Sequence, residues 1–143
     1  MANFSTGRYL TLISDADIST KDANGNFSKL YCIVSVAAST ANTTGRKVVL
    51  ATSATDANII GVLNNAPAAG EPASICGRNA EGTFKVRAGA NTAAISVGDQ
   101  FTVDTDSGAL KTTTTGHQIV GIALEAAVAG QIFEYLPMRA IHA

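Results

Sequence analysis

The sequence has little charge, few aromatic side chains and no tryptophan. Only 15% of its 143 residues are charged, against roughly 25% in an average soluble domain. Its ten basic residues are scattered, and no basic run is longer than Arg46-Lys47. Because binding to phosphate needs clustered Lys and Arg side chains, a nucleic-acid partner is not expected. With 6% aromatic residues, the chain also offers few platforms on which a sugar ring could stack.

Cysteine and long apolar runs are scarce as well. Cys32 and Cys76 form no C-x-x-C or Cys/His spacing, so no zinc site is indicated. Both lie in apolar runs, which predicts buried free thiols in a reducing compartment. The start Met-Ala-Asn-Phe-Ser lacks the basic and apolar regions of a leader, and no window approaches the roughly 18 apolar residues of a membrane span. We therefore expect synthesis in the cytoplasm and no membrane partner.

Residues that often carry chemistry occur here without the required partners. His117 follows the loop-like residues 112–116, and the chain has no G-x-S-x-G motif, so a solvated loop histidine is the better interpretation. The phosphate-binding motifs G-x-G-x-x-G and G-K-[ST] are absent. The sequence therefore predicts that this protein is not an enzyme and that it holds no cofactor.

Two pairs of carboxylates remain to be considered, since glycosidases need only two. Asp15 with Asp17, and Asp104 with Asp106, each flank a turn in a chain that is poor in aromatics. The run 104–108 faintly suggests a calcium loop, but its glycine comes one place early and Thr115 stands where a bidentate glutamate belongs. A hairpin turn explains it without a metal.

Short segments of β-branched and alternating apolar residues recur between turn residues. This pattern is typical of an all-β protein, a small β-sandwich or barrel-like domain, with about eight to ten strands. The predicted strands are residues 9–13, 29–36, 47–51, 58–63, 82–88, 100–103, 119–124 and 132–136.

Local details refine these strands. Residues 29–36 alternate most clearly, with Leu30, Cys32, Val34 and Val36 on one face. The pair Asn24-Gly25 and the run 106–108 predict tight turns. Pro137 is expected to stop the last strand.

One segment occurs twice. Ile59-Ile60-Gly61-Val62 with Ala66, Ala69 and Gly70 recurs sixty positions later as Ile119-Val120-Gly121-Ile122 with Ala126, Ala129 and Gly130. We interpret this as one supersecondary unit used twice, with close backbone approach at the first glycine and positive φ at the last. Coincidence in a chain rich in Ala and Gly is the alternative.

The second half of the chain resembles the capsid cement, or head decoration, proteins of tailed bacteriophages. The resemblance covers about the last 85 residues and depends on the order of several strand and turn phrases rather than on one motif. These phrases are Ile59-Ile60-Gly61-Val62, Ala69-Gly70-Glu71, Gly82-Thr83-Phe84-Lys85-Val86, Ile95-Ser96-Val97-Gly98-Asp99, Val103-Asp104, Gly108-Ala109-Leu110, Ile119-Val120-Gly121-Ile122-Ala123 and Ala129-Gly130.

The resemblance implies a capsid decoration protein on the outer surface of a phage head, where it stabilises the lattice of the major capsid protein. It further implies a homotrimer over local three-fold axes and an extended N-terminal arm. Residues 1–13 would be that arm or the first strand, and residues 14–143 a single β domain. Phe4, Arg8 and Tyr9 are the candidate capsid contacts. Alternatively, Tyr9 and Leu10 simply begin the first core strand.

Two other functions stay open at the level of sequence. A carbohydrate-binding or host-adhesion module would bind glycans saturably, although the scarcity of aromatic side chains counts against it. A small hydrolase would place a carboxylate of strongly perturbed pKa in a pocket. Neither has a positive sequence feature comparable to the ordered phrases of the second half.

Overall fold

The computed structural model describes residues 9–37 and 47–143, which form ten β-strands. Within those residues no helix forms, so the expected all-β class is confirmed. The strands are β1 (Tyr9–Ser14), β2 (Ile33–Val36), β3 (Lys47–Leu50), β4 (Ile59–Leu63), β5 (Pro72–Gly77), β6 (Phe84–Arg87), β7 (Gln100–Val103), β8 (Ala109–Lys111), β9 (Gln118–Ala123) and β10 (Ile132–Ile141).

Strands β1 to β5 form a closed barrel in the order β1-β3-β2-β4-β5. All neighbours are antiparallel except β1 and β3, which pair in parallel through Ile13 with Lys47 and Ser14 with Val48. Closure of the sheet leaves this barrel without a free edge.

Strands β6 to β10 form a second five-stranded sheet in the order β6-β10-β9-β7-β8. A single parallel bridge between Ala88 and Ala109 links the two edges of this sheet. The amide of Gly89 donates to the carbonyl of Ala109 at 2.8 Å beside the bridge. The second sheet therefore curves so that its edge strands, β6 and β8, approach each other, as the end strands of the first sheet do.

The two sheets are copies of one unit, which confirms the predicted repeat and extends it to all five strands. Gly61 pairs with Gly77 between β4 and β5, and Gly121 pairs with Pro137 between β9 and β10, sixty positions later. Strands β1 and β6 pair with β5 and β10 in the same register, and the bridge between Ala88 and Ala109 matches the pairing of β1 with β3. We call residues 9–77 the first unit and residues 84–141 the second unit.

Glycine is required at matching places in both units. A Cβ atom on Gly61 would lie 1.9 Å from the carbonyl oxygen of Cys76, and one on Gly121 would lie 2.6 Å from that of Leu136. The turns that follow β4 and β9 contain Gly70 and Gly130 with φ of 81° and 82°, a region that residues with a side chain rarely adopt. These geometries are those expected from the repeated segment.

Each unit has a packed apolar interior, and a shared cluster joins them. The interior of the first unit holds Ile18, Val34, Val48, Leu63, Ala73 and Ile75. A larger cluster combines first-unit side chains such as Ile33, Val62 and Cys76 with second-unit side chains such as Phe101 and Tyr135. The apolar face that the first unit turns outward is therefore buried against the second.

The predicted strand at residues 29–36 was only half correct. Strand β2 begins at Ile33, because residues 28–31 form turns and Tyr31 has a φ of 65°. Both faces of β2 are buried, since it lies between the interior of its own unit and the second unit. The predicted turns at Asn24-Gly25 and at residues 106–108 are confirmed.

Two further expectations need correction. Strand β10 continues through Pro137 to Ile141, with a shift of register between Pro137 and Ala140. Proline is tolerated there because β6 pairs with β10 only as far as Tyr135, so the strand has a partner on one side alone. Strand β5 was missed, because its sequence Pro-Ala-Ser-Ile-Cys-Gly is poor in strand-forming residues.

Candidate functional site

Tyr9 is the one predicted contact residue that falls in the described part of the chain. Phe4 and Arg8 lie outside the described residues. Tyr9 is the first residue of β1, pairs with Cys76 of β5 and has 44% of its surface exposed. Its neighbour Leu10 is also exposed, whereas the next apolar residue, Leu12, packs against the interior of the first unit. Tyr9 and Leu10 therefore begin strand β1, but both side chains are exposed and do not belong to the core.

Tyr9 is the outermost ring of an aromatic column that runs into the second unit. Its ring meets Phe84 edge to face at 5.7 Å, and Phe84 lies 6.4 Å from Tyr135. Tyr135 in turn packs against Phe101 at 5.4 Å. Such edge-to-face pairs stabilise by about 0.5–1.5 kcal/mol each beyond burial. One side of the Tyr9 ring is thus held in place while the other faces solvent.

Cys32 and Cys76 are both buried thiols, as their apolar surroundings predicted. Burial raises the pKa of Cys32 to about 11. The hydroxyl of Tyr135 donates to Cys76 Sγ at 3.4 Å. Burial, followed by the proximity of Cys76, raises the pKa of Tyr135 well above its usual value. Cys32 and Tyr135 are therefore uncharged near neutral pH, and both serve to pack the interior.

The carboxylates of the 104–108 turn serve the backbone around them. Asp104 accepts hydrogen bonds from the amide and side chain of Asn91, at 2.7 and 3.0 Å, and from the Thr105 amide at 2.7 Å. Burial would raise the pKa of Asp104, but these hydrogen bonds together outweigh burial and lower it. Asp106 accepts from the amides of Ala90 and Gly108. The turn therefore holds the loop that follows β6, as expected for a structural hairpin.

The other candidates for chemistry also have structural partners. Asp15 forms an ion pair with Lys47 at 3.2 Å, and Asp17 accepts from the amide and hydroxyl of Ser19. The Nδ1 atom of His117 lies 2.7 Å from the hydroxyl of Thr112. His117 is half-buried, so it is less solvated than its loop position suggested. Across residues 9–37 and 47–143, no group of three His, Cys, Asp or Glu side chains could hold a metal ion.

Sequence reasoning missed the most heavily bonded side chain of the described chain, Arg78. This residue is buried, and its guanidinium donates to the carbonyls of Ile59, Ile119 and Ala140 at 3.2, 2.6 and 3.1 Å, and to the side chain of Gln118. Burial, together with the nearby charge of Arg139, lowers the pKa of Arg78. Arg78 thus ties β4 of the first unit to β9 and β10 of the second. The only signal in the sequence is a lone basic residue directly after the Ile-Cys-Gly of β5.

The described residues include no helix long and apolar enough to cross a membrane.

Taken together, the paired units, the aromatic column and the Arg78 bonds define a small, internally duplicated all-β protein. The chain matches the family of phage cement proteins over residues 32–134, a span from the residue before β2 into β10. The protein therefore belongs to the phage cement protein family, which confirms the resemblance found in its sequence. This family is structural and non-enzymatic, and its members are associated with the phage capsid.

The fold is also found in a solved structure. The head fiber gp8.5 N base of bacteriophage phi29 aligns with a TM-score of 0.64 and 18% sequence identity, covering 93% of this chain and 95% of that chain. A search of curated proteins found no match. Family membership supports a structural role at the phage capsid and a location in the virion, while the likeness to the head fiber base shows the shared fold.

Proposed function

We propose that this protein is a capsid decoration, or cement, protein that binds the outer surface of a phage head and stabilises the lattice of the major capsid protein. The observation that carries the proposal is the family match over residues 32–134, which includes strands of both units. A cement protein needs no chemistry, and the carboxylates of the 104–108 turn are occupied by structural hydrogen bonds.

The composition of the chain suits a repeated contact on a lattice. With 15% charged residues, the surface offers few strong ionic contacts, so each interface is expected to be modest. Bridging several capsid subunits at once raises the overall affinity without new contacts, because the second binding event becomes intramolecular. Decoration of many equivalent sites is therefore possible with small individual interfaces.

The oligomer that we propose is a homotrimer over local three-fold axes, as the family likeness suggests. Closed three-fold symmetry would cover part of the exposed apolar surface at the strands, and it would leave no copy with an unpaired interface. We further propose that the chain is made in the host cytoplasm, where its two buried thiols would stay reduced.

Residues 1–13 are the proposed N-terminal arm or first strand, and residues 14–143 the proposed single β domain. Phe4, Arg8 and Tyr9 are the proposed capsid contacts. Support comes from the exposed ring of Tyr9, which is held against Phe84 at the point where residues 1–8 join the described chain. A ring that is already fixed in place loses little conformational entropy when a partner covers it.

Two variants test this contact, measured as the affinity for phage heads that lack the protein. Deletion of residues 2–8 and, separately, Tyr9→Ala should each weaken binding about tenfold or more, in the range typical of a truncated interface aromatic. Phe27→Ala is the matched control, because Phe27 is a similarly exposed aromatic residue in the segment between β1 and β2. Unchanged affinity in both test variants would defeat the assignment of these residues.

The function itself is tested by the copy number of this chain relative to the major capsid protein, from quantitative mass spectrometry of purified particles. A ratio near one to one supports decoration of the whole lattice. A handful of copies per particle, or none, contradicts it, and the host-adhesion module would then be the better hypothesis.

A further inference from the structure

The duplication allows each surface position of one unit to be compared with its counterpart in the other. The turns that follow β4 and β9 have the same length and share backbone hydrogen bonds. The amide of Asn64 donates to the carbonyl of Ser74 at 2.8 Å, and that of Leu124 donates to Glu134 at 2.9 Å. Both Asn64 and Leu124 are exposed. The same turn therefore forms with a polar residue, Asn64, at this position, so an apolar side chain at Leu124 is not required for packing.

The same comparison applies four residues later. The amide of Ala68 donates to the Glu71 carboxylate at 2.9 Å, and the amide of Val128 donates to the Gln131 side-chain oxygen at 3.0 Å. Val128 has 53% of its surface exposed. Since alanine fills the equivalent position, the two additional methyl groups of Val128 do not serve the turn.

A third apolar residue lies at this end of the second unit. Val97 is 67% exposed and Leu124 is 39% exposed. The short turn that carries Val97 is fixed to the end of β9 by a bond from the Gly98 amide to the Ala123 carbonyl at 2.8 Å. In the first unit the corresponding connection, from Ile18 to β2, is much longer. We call Val97, Leu124 and Val128 the distal patch; a shallow cleft of about 300 Å³ adjoins Val128.

Charge at the rim of the distal patch also differs from the matching site. Asn65 in the first unit bonds the Pro72 carbonyl and the Ser74 amide, at 3.0 and 2.9 Å, and so ties its turn to β5. Its counterpart is Glu125, which is exposed and forms no ion pair within the described residues. A structural amide has therefore been replaced by a carboxylate that faces solvent.

We propose that the distal patch docks onto a subunit of the major capsid protein, in an apolar depression whose rim carries a Lys or Arg side chain opposite Glu125. This inference rests on the proposed function and deepens it by naming a second contact surface.

The size of the patch favours the capsid over a free-standing dimer of this chain. Three partly exposed aliphatic side chains offer a few hundred Å² at most, whereas a stable free-standing interface buries about 800 Å² on each partner. A dimer held by this patch alone would be unstable. A lattice that is decorated at many sites can use contacts of this size, because other contacts of the same molecule hold it nearby.

The test exchanges distal-patch residues for those of the first unit. The double variant Leu124→Asn with Val128→Ala takes side chains that the same turn already accepts at Asn64 and Ala68, so it should fold with an unchanged melting temperature. Its affinity for phage heads that lack the protein should fall at least tenfold. Ile141→Asn is the matched control, because Ile141 is also well exposed but lies at the opposite end of β10. Glu125→Lys should weaken binding more than Glu125→Gln.

Four outcomes are distinguishable. Loss of binding in the double variant, with normal binding by wild type and Ile141→Asn, supports the inference. Equal binding by wild type and the double variant overturns it and leaves the proposed function standing. A change of oligomeric state in the double variant, seen by analytical ultracentrifugation, also overturns it, since the patch would then join copies of this chain. Wild-type protein that does not bind heads at all refutes the proposed function and this inference together.

Discussion

Replacement of Arg78 by methionine is the sharpest test of how the two units are held together. The change preserves an unbranched side chain of similar length but removes the donors to Ile59, Ile119, Ala140 and Gln118. Each buried acceptor left without a donor costs about 1–3 kcal/mol. Removing a desolvated charge returns part of that cost. We therefore expect the free energy of unfolding to fall by about 3 kcal/mol.

Urea unfolding followed by far-UV circular dichroism measures this loss. With an m-value of about 2 kcal/mol/M, a loss of that size lowers the midpoint by about 1.5 M. Arg139→Met is the matched control, since Arg139 is exposed and its replacement should change stability by less than about 0.5 kcal/mol. Arg78→Lys should lie in between, because an ammonium cannot reach all the acceptors that the guanidinium fork spans. If Arg78→Met unfolds within about 0.5 kcal/mol of wild type, the bonds of Arg78 do not hold the units together.

Three further predictions follow from buried contacts. Gly61→Ala should lower the free energy of unfolding by about 1–3 kcal/mol or more, because its methyl group would lie 1.9 Å from the carbonyl oxygen of Cys76. Gly77→Ala is the control, since a methyl group there has ordinary contact space at 3.5 Å. Equal melting temperatures for the two variants would contradict this prediction. Hydrogen bonds lower the pKa of Asp104, so its contribution to stability is complete above its ordinary value of 3.8 and is lost on acidification. Asp104→Asn should therefore flatten the pH dependence of urea unfolding below about pH 5, and a slope equal to that of wild type would argue against it. Cys32 and Cys76 are buried, and Cys32 has a pKa of about 11, so a thiol reagent at neutral pH should label both only in urea; rapid labelling of folded protein would refute their burial.

The class of fold and the duplication could be predicted from sequence, because both depend on local patterns. The alternation of Phe84 and Val86 with Lys85 predicts a strand with one solvent-exposed face. In β6, Phe84 and Val86 are buried and Lys85 is exposed. The repeated glycines, Gly61 and Gly121, occupy the same register position in each unit. Period-two patterns therefore sufficed where one face of a strand meets solvent.

Other features depend on contacts between distant segments and were missed for that reason. Strand β5 has weak strand propensity and forms because β1 and β4 pair with it on both sides. Arg78 becomes buried only when the two units pack, which no local pattern reports. The surface around Tyr9 was proposed from a resemblance, and its exposure alone does not identify a partner. The distal patch emerged only from comparing Leu124 and Val128 with their counterparts.

The duplication has a consequence for folding during synthesis. Every strand of the first unit lies within residues 9–77, so this barrel is complete in sequence before the ribosome has made the second unit. Until then Ile33, Val62 and Cys76, which pack against the second unit in the finished protein, face water. Domains fold in the order of synthesis, and exposed apolar surface invites association with other chains. A nascent chain is therefore prone to aggregate after the first unit has been made and before the second is complete, and slowing translation after residue 77 should lower the yield of soluble protein.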